Sequence, residues 1–214
     1  MDKTISLLLE PSPILHAKLT PAITLRIASS GIPETYSQVV DLCADEIGQW
    51  SLEDKAAFLG GHPLIGEVKN LSAMSAKEQG GKGVRTPEIV LRRYASPSFF
   101  RHEIPALITS LVFRLAHLNK LYSRVYPGLP YITFVAGRPR AAIVKEMEVV
   151  LGLPASPEPI PDDWQDVEKP ELDSQEVHAM VQLWGGVEWQ KEMQRALGDI
   201  WLIAKSRLQG MVVQ

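Results

Sequence analysis

Disulfides, membrane spans and signal sequences find little support in this sequence. Cys43 is the sole cysteine, so no intramolecular disulfide can form, and a reducing compartment fits best. Because it lies in a run with apolar spacing, we interpret Cys43 as a small core residue rather than a nucleophile. No apolar stretch approaches the roughly 20 residues of a membrane span. The short run from Ile5 to Leu9 does not suit a signal peptide. We therefore expect an intracellular protein without a membrane partner.

A strong charge of either sign is also missing. The chain has 22 basic and 25 acidic side chains, a net charge of -3 and a pI of about 6.0. Nucleic-acid surfaces normally carry a basic excess, so no nucleic-acid partner is predicted. Arg92 and Arg93, like Arg138 and Arg140, are typical of solvated helix faces. The C-terminal residues are not a peroxisomal tripeptide signal. The expected compartment is the cytoplasm or the peroxisome.

Alternating strand patterns are scarce, and the dominant period is helical. Apolar side chains recur every three or four residues over 104–125, over 193–208 and over 36–50. Pro33 is expected in the first turn of the last of these helices. With 214 residues and 45% hydrophobic side chains, the chain can bury one core. The sequence predicts a single all-α domain over residues 1–214.

Shorter segments have readable ends. Ser51 with Asp54 predicts a helix start, and a Gly-Gly pair stops that helix. A further helix is expected over 140–151. The β-forming run at 131–135 stands alone, so we interpret it as an extended segment or a short helix start. Five prolines and many acids at 154–170 predict an exposed loop over about 154–172, before the C-terminal helix.

His62 is the first candidate for chemistry. It follows the helix-ending pair Gly60-Gly61, and Pro63 pushes it out of the helical region. An imidazole on a constrained loop can pass a proton in either direction near neutral pH. The structural alternative is a histidine that only caps a helix end.

The run from Ser75 to Gln79 is the second candidate. Ser75 and Glu78 form a capping box, whose role can be purely structural. A helix N-terminus also suits a carboxylate or amide ligand. Glu78 could orient an imidazole, and Gln79 offers both a donor and an acceptor to a urea-like edge.

A third candidate is the end of the long helix, Leu118-Asn119-x-x-Tyr122, with the extended backbone after Pro130. The extended backbone offers N–H and C=O groups that suit a flat polar heterocycle as ligand. The structural alternative is a helix exit that only packs on the core. A metal site from His62 with Glu67 or Glu78 matches no ligand signature, so no metal is predicted.

Taken in order, these stretches resemble the 2-oxo-4-hydroxy-4-carboxy-5-ureidoimidazoline (OHCU) decarboxylase family. The resemblance lies in Leu9-Glu10-Pro11-Ser12-Pro13, Gly61-His62-Pro63 to Gly66, Leu71-Ser72 to Ser75-x-x-Glu78-Gln79, and Leu118-Asn119-x-x-Tyr122 to Pro130-Tyr131-Ile132. The first phrase looks most like fungal members. No single motif is specific, whereas the ordered set is.

The resemblance implies an all-α, often dimeric enzyme without metal or organic cofactor. Such an enzyme converts OHCU, a small-molecule ureidoimidazoline, into (S)-allantoin and carbon dioxide in urate breakdown. By resemblance, His62 is the acid/base and Glu78 the second catalytic residue. The same likeness assigns the substrate site to Pro63, Ser75, Gln79, Tyr131, Ile132, Thr133, Phe134 and Val135.

The chain also departs from the family pattern. Many members carry an arginine just after the Pro-aromatic-Ile stretch, where this chain has Val135-Ala136-Gly137 and then Arg138. Binding of the substrate carboxylate therefore requires Arg138 or another arginine. The regions 80–103 and 154–172 are longer than usual. Two alternatives stay open: a non-catalytic helical binding module, and a metal-assisted hydrolase built on His62.

Overall fold

Helices make up the regular structure of this protein, seen here in a computed structural model that describes residues 2–66, 107–161 and 164–212. The described residues contain no β-strand, so the predicted all-α fold class is confirmed. They group into two units. The first comprises residues 1–64, 128–134 and 182–214, and the second comprises residues 65–127 and 135–181. The assignment of the whole chain to one domain stays a prediction.

The first unit contains five α-helices. They are α1 (Asp2–Leu8), α2 (Thr20–Ser30), α3 (Tyr36–Gly48), α4 (Leu52–Gly60) and α8 (Val187–Val212). A π-helical turn, Leu15–Leu19, leads into α2. Helix α8 packs against α1, α3 and α4. Its apolar stripe supplies much of the core, with Trp189, Met193, Ala196, Leu197, Ile200 and Ala204 buried.

Helix α3 starts differently from the prediction. Thr35 caps it, its side chain accepting a hydrogen bond from the Gln38 N–H, while the Gln38 side chain accepts one from the Thr35 N–H. This capping box satisfies two backbone donors at the helix start. Pro33 therefore precedes the helix, and its expected place in the first turn is wrong. The buried face includes Cys43 and Ile47, as the apolar period predicts.

The segment 128–134 of the first unit has no regular secondary structure, yet its middle residues are buried. Its backbone finds a partner in a side chain: Arg195 of α8 donates to the carbonyl of Ile132 at 2.9 Å. The same guanidinium lies 5.0 Å from the centroid of the Tyr131 ring. Such a bond satisfies a backbone carbonyl of this extended run, beside which the described residues provide no strand.

The second unit contains α5 (Leu107–Val125), α6 (Arg140–Val150) and α7 (Gln175–Met180), with α5 packed against α6 and α7. Its interior holds an ion pair between Arg114 and Glu148, at 2.8 Å. Glu148 also accepts from the Ser156 N–H at 2.8 Å. The N–H groups of Arg114 reach the carbonyls of Val167 and Lys169.

The proline-rich segment between α6 and α7 forms no helix or strand in its described residues, as predicted. It is nonetheless anchored. Arg114 holds it as described above, and His117 Nε2 lies 2.9 Å from the carbonyl oxygen of Pro170. Ser156 and Ile160 are buried, while most of its neighbours are exposed.

Candidate active site around His62

His62 lies two residues beyond the C-terminus of α4. Ser51 caps the start of this helix, its hydroxyl accepting from the Asp54 N–H at 3.2 Å, and the helix ends at Gly60. The His62 N–H then donates to the carbonyl of Leu59 at 2.9 Å. The predicted helix bounds and the constrained turn that carries His62 are therefore present.

The turn packs tightly against the N-terminal segment at Gly61. A Cβ atom placed on Gly61 would lie 2.5 Å from the Cβ of Ser12 and 3.3 Å from the carbonyl oxygen of Phe58. Real Cβ atoms do not approach so closely, so Gly61 has no room for a side chain. The residue before the imidazole is thus fixed by packing, in addition to its hydrogen bonds.

One hydrogen bond identifies the tautomer of the imidazole. The Nδ1 atom of His62 lies 3.1 Å from the carbonyl oxygen of Phe58. A carbonyl can only accept, so Nδ1 carries the proton and donates. In the neutral ring Nε2 therefore has the lone pair, and it is the atom that can accept a proton from a ligand.

Aromatic side chains support the imidazole on one side. The ring of Phe58 meets His62 edge to face, with centroids 5.2 Å apart. Phe58 in turn stacks on Trp201 of α8 and makes an edge contact with Trp50, each at 6.3 Å. Edge and offset contacts of this kind favour a defined ring orientation.

Burial keeps His62 neutral. Desolvation is the largest influence and lowers its pKa to about 4. The carboxylate of Glu10 opposes this shift, as does the hydrogen bond to Phe58, whereas the positive charge of Arg207 adds to it. The imidazole is consequently a free base at neutral pH, ready to accept a proton.

Glu10 and Arg207 form a buried ion pair whose charges both act on this imidazole. Arg207 Nη2 lies 2.7 Å from Glu10 Oε1, and Nη1 donates to the carbonyl of Leu8 at 3.1 Å. From the sequence, neither side chain is predicted to belong to the site: Arg207 is expected only to suit the negative end of the last helix, and Glu10 only contributes to the family resemblance. The available signal was an arginine at a position of the apolar stripe of the last helix, where it must find a buried partner.

The other site residues predicted in the first unit are buried or partly buried. Pro63 follows His62 and is partly exposed. Tyr131, Ile132 and Thr133 are buried, and Phe134 is partly exposed. These residues belong to the same unit as His62. Their role as a substrate surface stays a prediction.

Val135 and Arg138 belong to the second unit, where they form a tight turn. The Arg138 N–H donates to the carbonyl of Val135 at 2.8 Å, and φ is +47° at Ala136 and +75° at Gly137. Positive φ at both central residues is typical of a type I′ turn. The Arg138 guanidinium pairs with Glu146. Its expected role with the substrate carboxylate is not tested by this arrangement.

The third candidate motif stabilises the chain after His62. In the second unit, the Asn119 side-chain amide donates to the carbonyl of Ile65 at 2.9 Å and to that of Leu115 at 3.0 Å. The remaining predicted residues, Glu67, Ser75, Glu78 and Gln79, lie outside the described residues. In the ranges that are described, no three His, Cys, Asp or Glu side chains form a group that could hold a metal ion. Nor does any described helix combine the length and apolarity of a bilayer crossing.

The described residues thus combine an all-α fold with a neutral imidazole on which the charges of a buried ion pair act. A comparison with family models specifies the class further. The model described as OHCU decarboxylase matches residues 2–94, so over these residues the chain is similar to the OHCU decarboxylase family. The match includes the Glu10 phrase, the His62 turn and the Ser75–Gln79 run. No curated protein and no solved structure matched the chain.

This match confirms the resemblance seen in the sequence and supports a decarboxylase of urate degradation with a small-molecule substrate. The likeness to fungal members stays a prediction.

Proposed function

We propose that this protein converts OHCU into (S)-allantoin and carbon dioxide, with His62 as the acid/base. The family match supports the reaction class. The observation that supports the role of His62 is its fixed tautomer: the hydrogen bond from Nδ1 to Phe58 leaves Nε2 as the acceptor. A pKa of about 4 keeps that acceptor unprotonated over the physiological pH range.

The reaction moves one proton within the site and takes up one proton from solvent. His62 Nε2 accepts the proton of the 4-hydroxyl group of OHCU, while the bond to the 4-carboxylate breaks and carbon dioxide leaves. The bonding electrons form a double bond between carbons 4 and 5 of the resulting enolate, and the former C=N bond at carbon 5 leaves its electron pair on the ring nitrogen, which takes a proton from solvent. The imidazolium then returns its proton to carbon 5, which bears the ureido group, and the carbonyl at carbon 4 forms. Delivery from one face gives one stereoisomer, and general acid/base catalysis of this kind is worth about 10²–10⁴-fold.

Arg207 is our candidate for recognition of the substrate carboxylate. Its charge acts on the His62 imidazole, and its partner Glu10 lies in the segment that packs against the His62 turn at Gly61. A guanidinium matches the geometry of a carboxylate and keeps its charge when buried. Arg138, the candidate from the sequence, is paired with Glu146 in the second unit. In this proposal the family's arginine function is carried out by Arg207.

The remaining assignments complete the proposal. Glu78 acts as the second catalytic carboxylate, and Pro63, Ser75 and Gln79 line the substrate site with the backbone of residues 131–135. The enzyme works without metal or organic cofactor and as a homodimer, in the cytoplasm or the peroxisome.

The test compares the wild type with His62→Asn on freshly generated OHCU, following the circular dichroism of (S)-allantoin. We expect the variant to lose at least about 100-fold in kcat/KM, because the proton acceptor is gone. His178→Asn is the matched control, since His178 is exposed on α7. A His62→Asn variant as fast as the control would eliminate His62 as the acid/base.

The pairing of Arg138 with Glu146 favours one alternative, a binding module that retains the pocket without the chemistry. It predicts that the wild-type chain leaves OHCU at its spontaneous rate, yet binds allantoin in calorimetry. Acceleration by the wild type rules this alternative out.

A further inference from the structure

Glu10 is a buried acid that the proposed mechanism does not use. It follows α1 in the segment whose sequence phrase contributed to the family resemblance. Only 4% of the residue is exposed, and the neighbouring Leu9 is equally buried. Glutamate is rarely buried unless it is paired, so its presence here requires a partner and an explanation.

The partner is Arg207, which lies 197 residues further along the chain on α8. The carboxylate and the guanidinium are 2.7 Å apart, and the side chains are 5% and 3% exposed. A second N–H of the guanidinium donates to the carbonyl of Leu8, two residues before Glu10. Two contacts on one short segment fix the guanidinium in both position and orientation.

Stability alone is a poor explanation for this pair. Burying two charges costs several kcal/mol of desolvation, and apolar replacements of similar volume are often as stable. A buried pair is therefore better explained by what it positions. The pair meets this condition, because both of its charges act on the imidazole of His62.

Packing connects the Glu10 segment to the His62 turn. Ser12, two residues after Glu10, is the side chain that fills the space beside Gly61. The Ser12 hydroxyl also accepts from the Leu15 N–H at 3.3 Å, which fixes the segment at its other end. The segment that carries Glu10 and the turn that carries His62 are therefore packed against each other within the first unit.

We propose that Glu10 is a positioning residue of this site, whose carboxylate holds the Arg207 guanidinium beside His62 in the orientation that receives the substrate carboxylate. This inference rests on the proposed function. Glu10 itself touches neither the substrate nor the proton in transit. It acts through Arg207, so its removal should affect catalysis without removing a reacting group.

The test compares Glu10→Gln with Asp41→Asn in the intact chain. Asp41 is the matched control. Like Glu10 it pairs with a cation of α8, in this case Lys205 at 3.0 Å, but its pair is exposed to solvent. We expect kcat/KM for OHCU to fall about 10- to 100-fold in Glu10→Gln, the usual effect of misplacing a substrate-binding group by about 1 Å. Asp41→Asn should stay within about twofold of the wild type. Glu10→Asp, which keeps the charge, should recover part of the loss.

The pH profile is the second readout, and a merely structural role would not move it. Among the described residues, the charged groups that act on the imidazole are Glu10, from the segment after α1, and Arg207, from α8. Removing the Glu10 carboxylate should lower the pKa of His62, so the acid limb of kcat/KM moves to lower pH. Arg207→Gln should move that limb to higher pH.

The outcomes separate the two proposals. A wild-type chain that leaves OHCU at its spontaneous rate overturns the proposed function and this inference together. An active wild type with equal kcat/KM and pH profile in Glu10→Gln and Asp41→Asn overturns only the role of Glu10. If Glu10→Gln does not fold, the double variant Glu10→Met/Arg207→Met removes both charges. That variant should fold and be inactive, and activity in it would also reject the inference.

Discussion

Replacing Gly61 by alanine tests the packing that fixes the His62 turn. The added Cβ would meet the Cβ of Ser12 at 2.5 Å, the Ser12 hydroxyl at 3.1 Å and the Phe58 carbonyl at 3.3 Å. None of these atoms is the end of a long flexible side chain. The clash therefore has to be relieved by moving the N-terminal segment, the turn or both.

The expected cost follows from overpacking. A methyl group forced into a filled site destabilises a protein by about 1–3 kcal/mol. Backbone conformation contributes little, because Gly61 has a φ of -76°, which alanine adopts freely. We therefore expect Gly61→Ala to lower the free energy of unfolding by about 1–3 kcal/mol.

Gly60→Ala is the matched control for this experiment. A Cβ on Gly60 has no neighbour within 4 Å, and the residue ends α4. Alanine favours helix over glycine by up to about 1 kcal/mol, so Gly60→Ala should be neutral or stabilising. Urea unfolding followed by far-ultraviolet circular dichroism measures both changes.

A second substitution identifies the clashing partner. Ser12→Gly removes the Cβ nearest to the new methyl group, so it should recover part of the loss in Gly61→Ala. The pair should show a coupling energy of about 0.5–3 kcal/mol, as expected for residues in contact. Equal stability of Gly61→Ala and Gly60→Ala would refute the close approach.

Two further predictions concern buried charge. Arg114→Leu leaves Glu148 buried without its cation, so the free energy of unfolding should fall by about 3–5 kcal/mol. Arg124→Leu breaks an exposed pair with Asp173 and should change the free energy of unfolding by less than about 1 kcal/mol. Equal effects of the two variants in urea unfolding would contradict this prediction. Lowering the pH should destabilise the wild type more than His62→Asn, because the unfolded imidazole gains a proton near pH 6.5 and the folded one only near 4. The excess loss, at most about 3 kcal/mol, develops between these values and then levels off; parallel pH curves for the two proteins would refute it.

Long amphipathic helices were predictable because their evidence is local and repeated. The apolar period over 104–125 corresponds to α5, and that over 193–208 lies within α8. The short N-terminal helices were not predicted. Helix α1 has only seven residues, and an apolar run of that length does not distinguish helix from strand.

Helix starts show a similar limit. The cap at Ser51 was found, because serine and the acid after it form a known pattern. At α3 the presence of Pro33 drew the prediction three residues too early, because the helix begins at Tyr36 and the reciprocal bonds of Thr35 and Gln38 define its start. Proline tolerates the first turn but does not specify it, whereas a capping box satisfies two donors at defined positions.

Within the site, features set by neighbouring residues in the sequence could be predicted, whereas contacts between distant residues could not. Gly61 and Pro63 constrain His62 from adjacent positions, so the turn could be predicted from a short stretch of sequence. Glu10 and Arg207 are 197 residues apart, and only the tertiary fold brings their charges together. Arg138 was an attractive candidate by position, but its guanidinium pairs with Glu146, eight residues on in the same unit.

The charge arrangement explains why a partly buried, neutral histidine suits this reaction. Glu10 and Arg207 shift the pKa of His62 in opposite directions, so desolvation decides and the ring enters the reaction as a free base. In our proposal the substrate then adds a carboxylate, and a nearby negative charge raises the pKa of an imidazole. The base therefore becomes stronger when the 4-hydroxyl proton must be removed. Loss of carbon dioxide moves the negative charge onto the enolate, where the newly formed imidazolium can return its proton.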